Sequence, residues 1–334
     1  MTRHMAPPMA SETGRDEPAA VPVPRTLRLQ AAERLLAPEQ TNRRVAARRF
    51  LETAPQFGID LDLMWGVVEK GAHPGVREVA LIVPGAGATG MLFVSTPRPG
   101  SAHGHQERVA SVGAAIRGVR DGVGHPIDLI QALPEPHEQW TIEACRDAGM
   151  TGLGPLGYLR RPTQPADRGD LDRTPAPGFR LLPVSELSAR HRRSALIRVL
   201  DRTYIDTRDC PELCGLRQTA RILESHEATG VFDPSLWWIL GPASDPAADP
   251  CGCLLLSRWS EGGDIELVYI GLAPEARRRG LGAGLLRFAI RAAANRGVEA
   301  MTCAVDLRNQ PATRLYESFG FRSRGSRVPF VLGV

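Results

Sequence analysis

The sequence predicts an α/β protein built as two successive domains. The chain has 334 residues, more than one hydrophobic core usually organises, so each half is long enough to bury a core of its own. Between the halves, Arg161 to Gly178 holds Pro162, Pro165, Pro175 and Pro177 among small and charged residues, a composition that sustains neither a helix nor a central strand. On either side, strand-like and helix-like spacings alternate in the same order. These signals set the expected boundaries: a disordered tail at 1–27, a first domain at 28–161, a Pro-rich linker at 162–178 and a second domain at 179–334.

In the second half, Phe179 to Val184 reads as a strand, Ser185 to Arg202 and Leu216 to Thr229 as helices. Leu236 to Leu240, Cys253 to Trp259 and Ile265 to Leu272 read as strands. From Leu281, the residues Leu281, Leu285, Leu286, Ala289, Ile290 and Ala293 recur at helical spacing, and Gly297 stands where a C-cap glycine belongs. A strand (Ala300 to Val305), a short helix (Pro311 to Phe319) and a final extended segment (Phe321 to Leu332) follow. The first half gives a helix near Gln40 to Thr53, strands near Leu61 to Glu69, Val76 to Val83 and Met91 to Ser95, a helix near Gln106 to Arg117, a strand at Ile127 to Ala132 and a helix at Glu138 to Arg146.

Composition excludes several classes. A hydrophobic fraction of 43% with 23% charged residues is that of a globular chain, and no apolar run approaches a membrane span. The net charge of +4 is carried almost entirely by scattered arginines with no basic tail, so neither nucleic acid nor membrane is an expected partner. The Pro- and Ala-rich start lacks the apolar core of a signal peptide, and six cysteines are too few for a disulfide scaffold, so the chain reads as cytoplasmic. Cys210, Cys214 and His226 lack a fourth ligand for zinc, and no metal is expected.

The chemistry concentrates at Leu272-Ala-Pro-Glu-Ala-Arg277-Arg278-Arg279-Gly280-Leu281-Gly282-Ala283-Gly284, which leads from a strand into the amphipathic helix. Unpaired N–H groups and the helix dipole make such a start an anion site, and glycines at 280 and 282 remove Cβ atoms that would hold a diphosphate away. Cations here oppose the dipole, at up to about 1 kcal/mol each when exposed. Solvated arginines alone do not account for that placement, whereas an anionic ligand does.

Arg277-x-x-Gly280-x-Gly282 resembles the Q/R-x-x-G-x-G/A signature of GNAT acetyltransferases, and Asn309-x-x-Ala312-x-x-Leu315-Tyr316-x-x-x-Gly320-Phe321 follows as a second family-like motif. The resemblance implies two tandem GNAT-type domains, each a mixed, mostly antiparallel central sheet flanked by helices. It implies acetyl-CoA as donor, its pyrophosphate held by backbone amides of Arg277, Arg278, Arg279, Gly280, Leu281, Gly282 and Ala283, with Ile270 and Leu272 contacting the pantetheine arm and Asn309 also on the coenzyme side. Asn309 and Tyr316 are seven residues apart, so on one helix they project to nearly the same side; the alternative is that Asn309 caps the helix and Tyr316 packs into the core.

Acetyl transfer to an amine needs a neutral amine and a proton for the departing thiolate. Glu266, on the strand entering the loop, shares a face with Val268, Ile270 and Leu272 if pairing is regular, and an apolar face raises a carboxyl pKa toward that of a base; a solvated strand-end residue is the other reading. In the resembled family a glutamate here often serves as base and a tyrosine at the place of Tyr316 as acid, a phenol with an ordinary pKa of about 10 being protonated at neutral pH.

Gly85-Ala-Gly87-Ala-Thr-Gly90 matches a dinucleotide fingerprint, but Met91 to Ser95 reads as strand, so these glycines turn a hairpin. When Gly149 is set against Gly320, Glu138 and Cys145 fall where Asn309 and Tyr316 stand, and the first half lacks an Arg-x-x-Gly-x-Gly loop. The first half therefore reads as diverged and non-catalytic, a mycothiol-synthase-like arrangement in architecture alone. The expected acceptor is a small-molecule primary amine, with Tyr204, Asp206, Asp209 and Glu212 as candidate contacts or as solvated loop acids. A protein or peptide acceptor, or an acetyl-CoA-binding sensor without turnover, are the alternatives, and the oligomeric state is not legible.

Overall fold

The computed structural model describes residues 18–36, 41–69, 71, 74–98, 100–101, 103–122, 126–259 and 263–334. Residues 1–17 of the expected tail, and Gln40 at the expected helix start, lie outside them. Along the first half run β1 (Val21–Pro22), α1 (Arg28–Leu35), α2 (Arg43–Thr53), β2 (Met64–Val68), β3 (Val76–Gly85), β4 (Thr89–Val94), α3 (Gly104–Asp121), β5 (Leu129–Ala132), α4 (Gln139–Asp147), β6 (Thr151–Gly152) and β7 (Leu156–Pro162). The second half continues with β8 (Phe179–Pro183), α5 (Ala189–Tyr204), α6 (Thr219–Glu227), β9 (Trp237–Pro242), β10 (Gly252–Arg258), β11 (Asp264–Leu272), α7 (Leu281–Asn295), β12 (Ala300–Asp306), α8 (Gln310–Ser318), β13 (Arg322–Arg327) and β14 (Phe330–Gly333). No helix among the described residues is long and apolar enough to cross a membrane.

These strands form two seven-stranded mixed sheets, in the orders β1-β2-β3-β4-β5-β14-β6 and β8-β9-β10-β11-β12-β7-β13. In each, the parallel pair is the central one, β4 with β5 and β11 with β12. The sixth strand of each sheet comes from the other half. β7 lies between β12 and β13, with Tyr158 opposite Ala304 and Gly325, and β14 lies between β5 and β6, with Phe330 opposite Ala132 and Gly152.

The linear division at 161/162 therefore does not follow the sheets. Leu156–Pro162 precedes the Pro-rich segment but completes the second core, where Leu159 is buried. The expected final strand is two strands in different sheets, separated at Val328 and Pro329, whose backbones bond to Pro134 and Leu153. Nor are the described residues before 28 a tail: Val21 and Pro22 pair with Gly66 and Trp65, and Val23 and Leu27 are buried. Burial of those side chains offsets the entropy of ordering the segment.

The Pro-rich segment adheres to α7. Asn295 exchanges hydrogen bonds with the backbone of Gly169 (2.7 and 3.1 Å), Arg291 donates to Asp170 O (3.0 Å), and a Cβ at Gly284 would lie 2.9 Å from Pro175 Cβ. The apolar stripe of α7 is buried along its length, from Leu281 to Ala293, and Gly297 beyond it has φ +69°, the left-handed conformation of a C-cap glycine. The fingerprint-like glycines turn the β3–β4 hairpin, with Gly85 opposite Thr89. Gly87 (φ +67°) is required there because its tip meets α6, where a Cβ would lie 2.1 Å from Arg221 O.

Candidate active site

β11 and β12 pair only over Asp264–Leu267 and Ala300–Cys303, although β11 runs on to Leu272 and β12 to Asp306. Beyond that point the two parallel strands splay. A bulge accompanies the opening: Leu256 pairs with Leu267 and Leu255 with Tyr269, leaving Val268 as the extra residue. Pairing is thus not regular, and the expected grouping of Glu266 with Val268, Ile270 and Leu272 is corrected. Glu266 opposes Ser257 and Tyr269 opposes Leu255, two residues apart on β10, so Glu266 and Tyr269 share a face.

At the end of β11 the chain turns into α7. Gly280, the N-cap, has φ +75° with open space where a Cβ would stand, and no side chain caps the helix. The amides of Arg278 to Ala283 have no acceptor among the described residues, the first helical bond of the turn being Gly284 N to Gly280 O (3.1 Å). A Cβ at Gly282 would make ordinary contact with Leu315 at 3.6 Å, so only Gly280 is demanded by the backbone.

The three arginines divide. The amide of Arg277, expected with those of the loop to face the diphosphate, donates to Pro274 O (3.2 Å) instead, and its guanidinium donates to Leu272 O (3.0 Å), Asp206 O (3.0 Å), Thr203 O (3.2 Å) and Ile205 O (2.5 Å). The carbonyl-rich end of α5 meets its charge, which removes Arg277 from the dipole argument. Arg279 stacks over Phe179 at 4.8 Å, and Arg278 is exposed with φ +59°. Leu272 is tied to the loop through Arg277, Ile270 pairs with Leu254, Leu281 is buried at the helix start and Ala283 is half-buried in its first turn.

Glu266 is half-buried beside Trp259, whose indole donates to it; burial raises its carboxyl pKa and the indole opposes that shift. Tyr316, on α8, is 5% exposed, its ring 5.4 Å from Phe321, and no protein hydrogen bond among the described residues holds its hydroxyl. Burial first, then Cys303 and Asp209, push its phenol well above its ordinary pKa. Asn309 caps α8, accepting from Ala312 N at 3.3 Å; the capping reading of the motif is the one seen.

The loop between α5 and α6 is not a row of solvated acids. Asp209 accepts from Asp306 N (3.0 Å), Cys210 N donates to the fully buried Asp306 (3.2 Å), and Arg308 joins Asp306 (2.7 Å) to Glu212 (2.6 and 2.9 Å). Burial raises the Asp209 carboxyl, against the hydrogen bond from the Asp306 amide and with a smaller push from the Asp306 charge. For Asp306 burial also pushes upward, but hydrogen bonds from Arg308 outweigh it and hold the group low. The hydroxyl of Tyr204 meets His226 Nε2 at 3.2 Å, His226 stacks on Tyr269 at 5.6 Å, and the Tyr269 hydroxyl donates to Thr203 (3.0 Å). Burial and Arg217 lower His226 to about 4, so it is neutral at pH 7.

The exchanged strand adds residues that the sequence does not point to. Tyr158 lies opposite Ala304, on the same face as Thr302 and its partner Glu266, close enough for Glu266 to raise its pKa after burial has done so. Arg327 lies over the Tyr158 ring at 6.0 Å and pairs with Glu135 at 2.6 Å, beside a cavity of about 400 Å³. Both halves thus contribute to the face that carries Glu266.

Residues 205–321 match the acetyltransferase (GNAT) family. A mycothiol acetyltransferase of Beutenbergia cavernae is 28% identical over 283 residues, 75% of this chain and 82% of that protein. One of Thermomonospora curvata is 27% identical over 265 residues, 76% of this chain and 77% of that protein. A GCN5-related N-acetyltransferase from Sphaerobacter thermophilus shares the fold with a TM-score of 0.56 at 17% identity, covering 92% of this chain and 91% of that one. The matched region holds the strand splay, the uncapped helix start and α8: residues 205–321 are a GNAT acetyltransferase domain, and the two sheets of one strand order fit a tandem arrangement of that fold.

Proposed function

We propose that the second half transfers an acetyl group from acetyl-CoA to a primary amine of a small molecule. The observation that carries this reading is the run of unpaired amides from Arg278 to Ala283 at the start of α7, directly after the splay of β11 from β12. Such amides, with the helix dipole behind them, fit the diphosphate of the coenzyme, which supplies the thioester when bound. The relatives named mycothiol acetyltransferase support an amine-type acceptor of small size.

Within this reading Glu266 accepts the amine proton, directly or through water, because burial has raised its basicity toward neutral pH. Tyr316 donates to the leaving thiolate; among the described residues its hydroxyl has no protein partner, and burial keeps it protonated at physiological pH. Asn309 positions α8, and Arg277 positions the loop by tying it to α5. Tyr158 and Glu135 bring the first half to the acceptor side.

A thiol-release assay with acetyl-CoA against pooled small amines and peptides tests the proposal. Release with a small amine, lowered in Tyr316→Phe, supports it; release with peptides alone, or equal turnover of wild type and Tyr316→Phe on the best acceptor, contradicts it.

A further inference from the structure

Scattered along the sequence, Arg34, Arg43, Arg44 and Arg98 converge in the first half around a cavity of about 480 Å³, whose wall also carries Gln30 and Glu33. α1 supplies Arg34, the first turn of α2 supplies Arg43 and Arg44, and the segment after β4 supplies Arg98. Among the described residues, carboxylates balance them incompletely. Arg44 stands 3.9 Å from Glu33 and Arg98 3.8 Å from Glu69, both beyond hydrogen-bond distance. Arg34 reaches Glu78 at 3.5 Å but donates to the carbonyls of Arg77 and Thr96. Among the described residues Arg43 donates to the carbonyls of Glu33 (2.6 Å) and Leu36 (3.2 Å), and its buried Nε has no partner.

The start of α2 adds a second, independent cue. No side chain caps it, its first turn carries no acidic residue, and Arg44 stands against the positive end of the dipole, while the charge of Arg43 is met by the carbonyls at the end of α1. Burial lowers the Arg34 pKa, and Arg98, Arg108 and Arg43 add to this against the attraction of Glu78. Gathering like charges around a concave wall costs Coulomb energy that an anion offsets, and guanidinium groups suit phosphate oxygens. The volume lies in the range of small-molecule sites.

We propose that this cavity binds a phosphate-bearing small molecule through Arg34, Arg43, Arg44, Arg98 and the amides of Arg43 and Arg44, those of Val45 and Ala46 being bonded to Asn42 O, as a site separate from the α7 loop. Isothermal titration of the full chain with inorganic pyrophosphate tests it in the Ala283→Glu variant, where a carboxylate in the first turn of α7 repels anions from that loop. Pyrophosphate binds this variant with strong salt dependence, and adding Arg44→Ser and Arg98→Ser weakens binding at least about tenfold. Because those two side chains are largely exposed and their carboxylate neighbours stand beyond hydrogen-bond distance, the melting temperature does not fall. Displacement of pyrophosphate by acetyl-CoA supports a coenzyme phosphate as the source, and no displacement supports a separate organophosphate. Absence of pyrophosphate binding in Ala283→Glu, or equal affinity after the two arginine substitutions, overturns the proposal.

Discussion

The two sheets share one strand order, yet their equivalent helix starts are finished differently. After β4, α3 carries Glu107 in its first turn, nine-tenths buried and held by Arg77 at 2.7 Å, while the next residue, Arg108, bonds Glu78 at 3.0 Å. After β11, α7 has no acidic residue in its first turn and no cap. Neither start has a capping side chain; the first half sets a carboxylate of its own, paired with Arg77, in the first turn, and the second sets none, which on the proposed reading leaves its amides to an external anion. The helices that follow differ in the same sense. Glu138 and Cys145 occupy in α4 the places of Asn309 and Tyr316 in α8, and Cys145 is a fully buried thiol that burial raises to about 12. Topology is shared between the halves, and the capacity for chemistry depends on a few side chains.

The largest effect expected from this contrast is at α8. Tyr316→Phe lowers turnover by about 10²–10⁴ with little change in coenzyme affinity, whereas Cys145→Ser leaves turnover unchanged; steady-state kinetics checks both. Copying the first half's solution into the second, Ala283→Glu weakens acetyl-CoA binding at the loop by about a hundredfold without loss of thermal stability, since a carboxylate suits a helix start. The converse, Glu107→Gln, creates no coenzyme site and costs about 2–3 kcal/mol of stability by leaving Arg77 without its buried partner, measurable by urea denaturation.

Smaller effects concern pH and capping. The acid limb of the rate profile lies above the ordinary carboxylate range, because Glu266 must be ionised to act and burial raises its pKa. Trp259→Phe, by removing the opposing hydrogen bond, moves that limb to higher pH. The stability linkage of Glu266 has the opposite sense: a raised carboxyl pKa means that its ionisation disfavours the fold as pH rises through the shifted value. Asp306, held low by Arg308, stabilises above the unfolded carboxyl pKa, and that contribution is lost as pH falls through its lowered value. Asn309→Ala costs about 1 kcal/mol, the usual effect of losing an N-cap, in a melting experiment.

Local features were legible in the sequence because they rest on local physics. The apolar stripe of α7, the hairpin at Gly85 to Thr89 and the glycine start at Gly280 each follow from neighbouring residues. What depends on distant partners was not. Leu156–Pro162 and Phe330–Gly333 carry nothing that names the sheet they join, and Val21–Pro22 is too short to stand out from a Pro-rich start. The bulge at Val268 is set by pairing with β10, so the alternation read along β11 misassigned the neighbours of Glu266. Arg277 looks like an anion ligand in sequence because the carbonyls of α5 that receive it lie about seventy positions away. Tyr158 reaches the face of Glu266 only through the strand exchange.

Amide hydrogen exchange with and without acetyl-CoA tests the contrast between the halves most directly. Adding the coenzyme is expected to protect the segment Arg278 to Ala283, with no change at the start of α3 from Gly104 to Arg108. Unchanged exchange at 278–283, or equal protection of both helix starts, would contradict it.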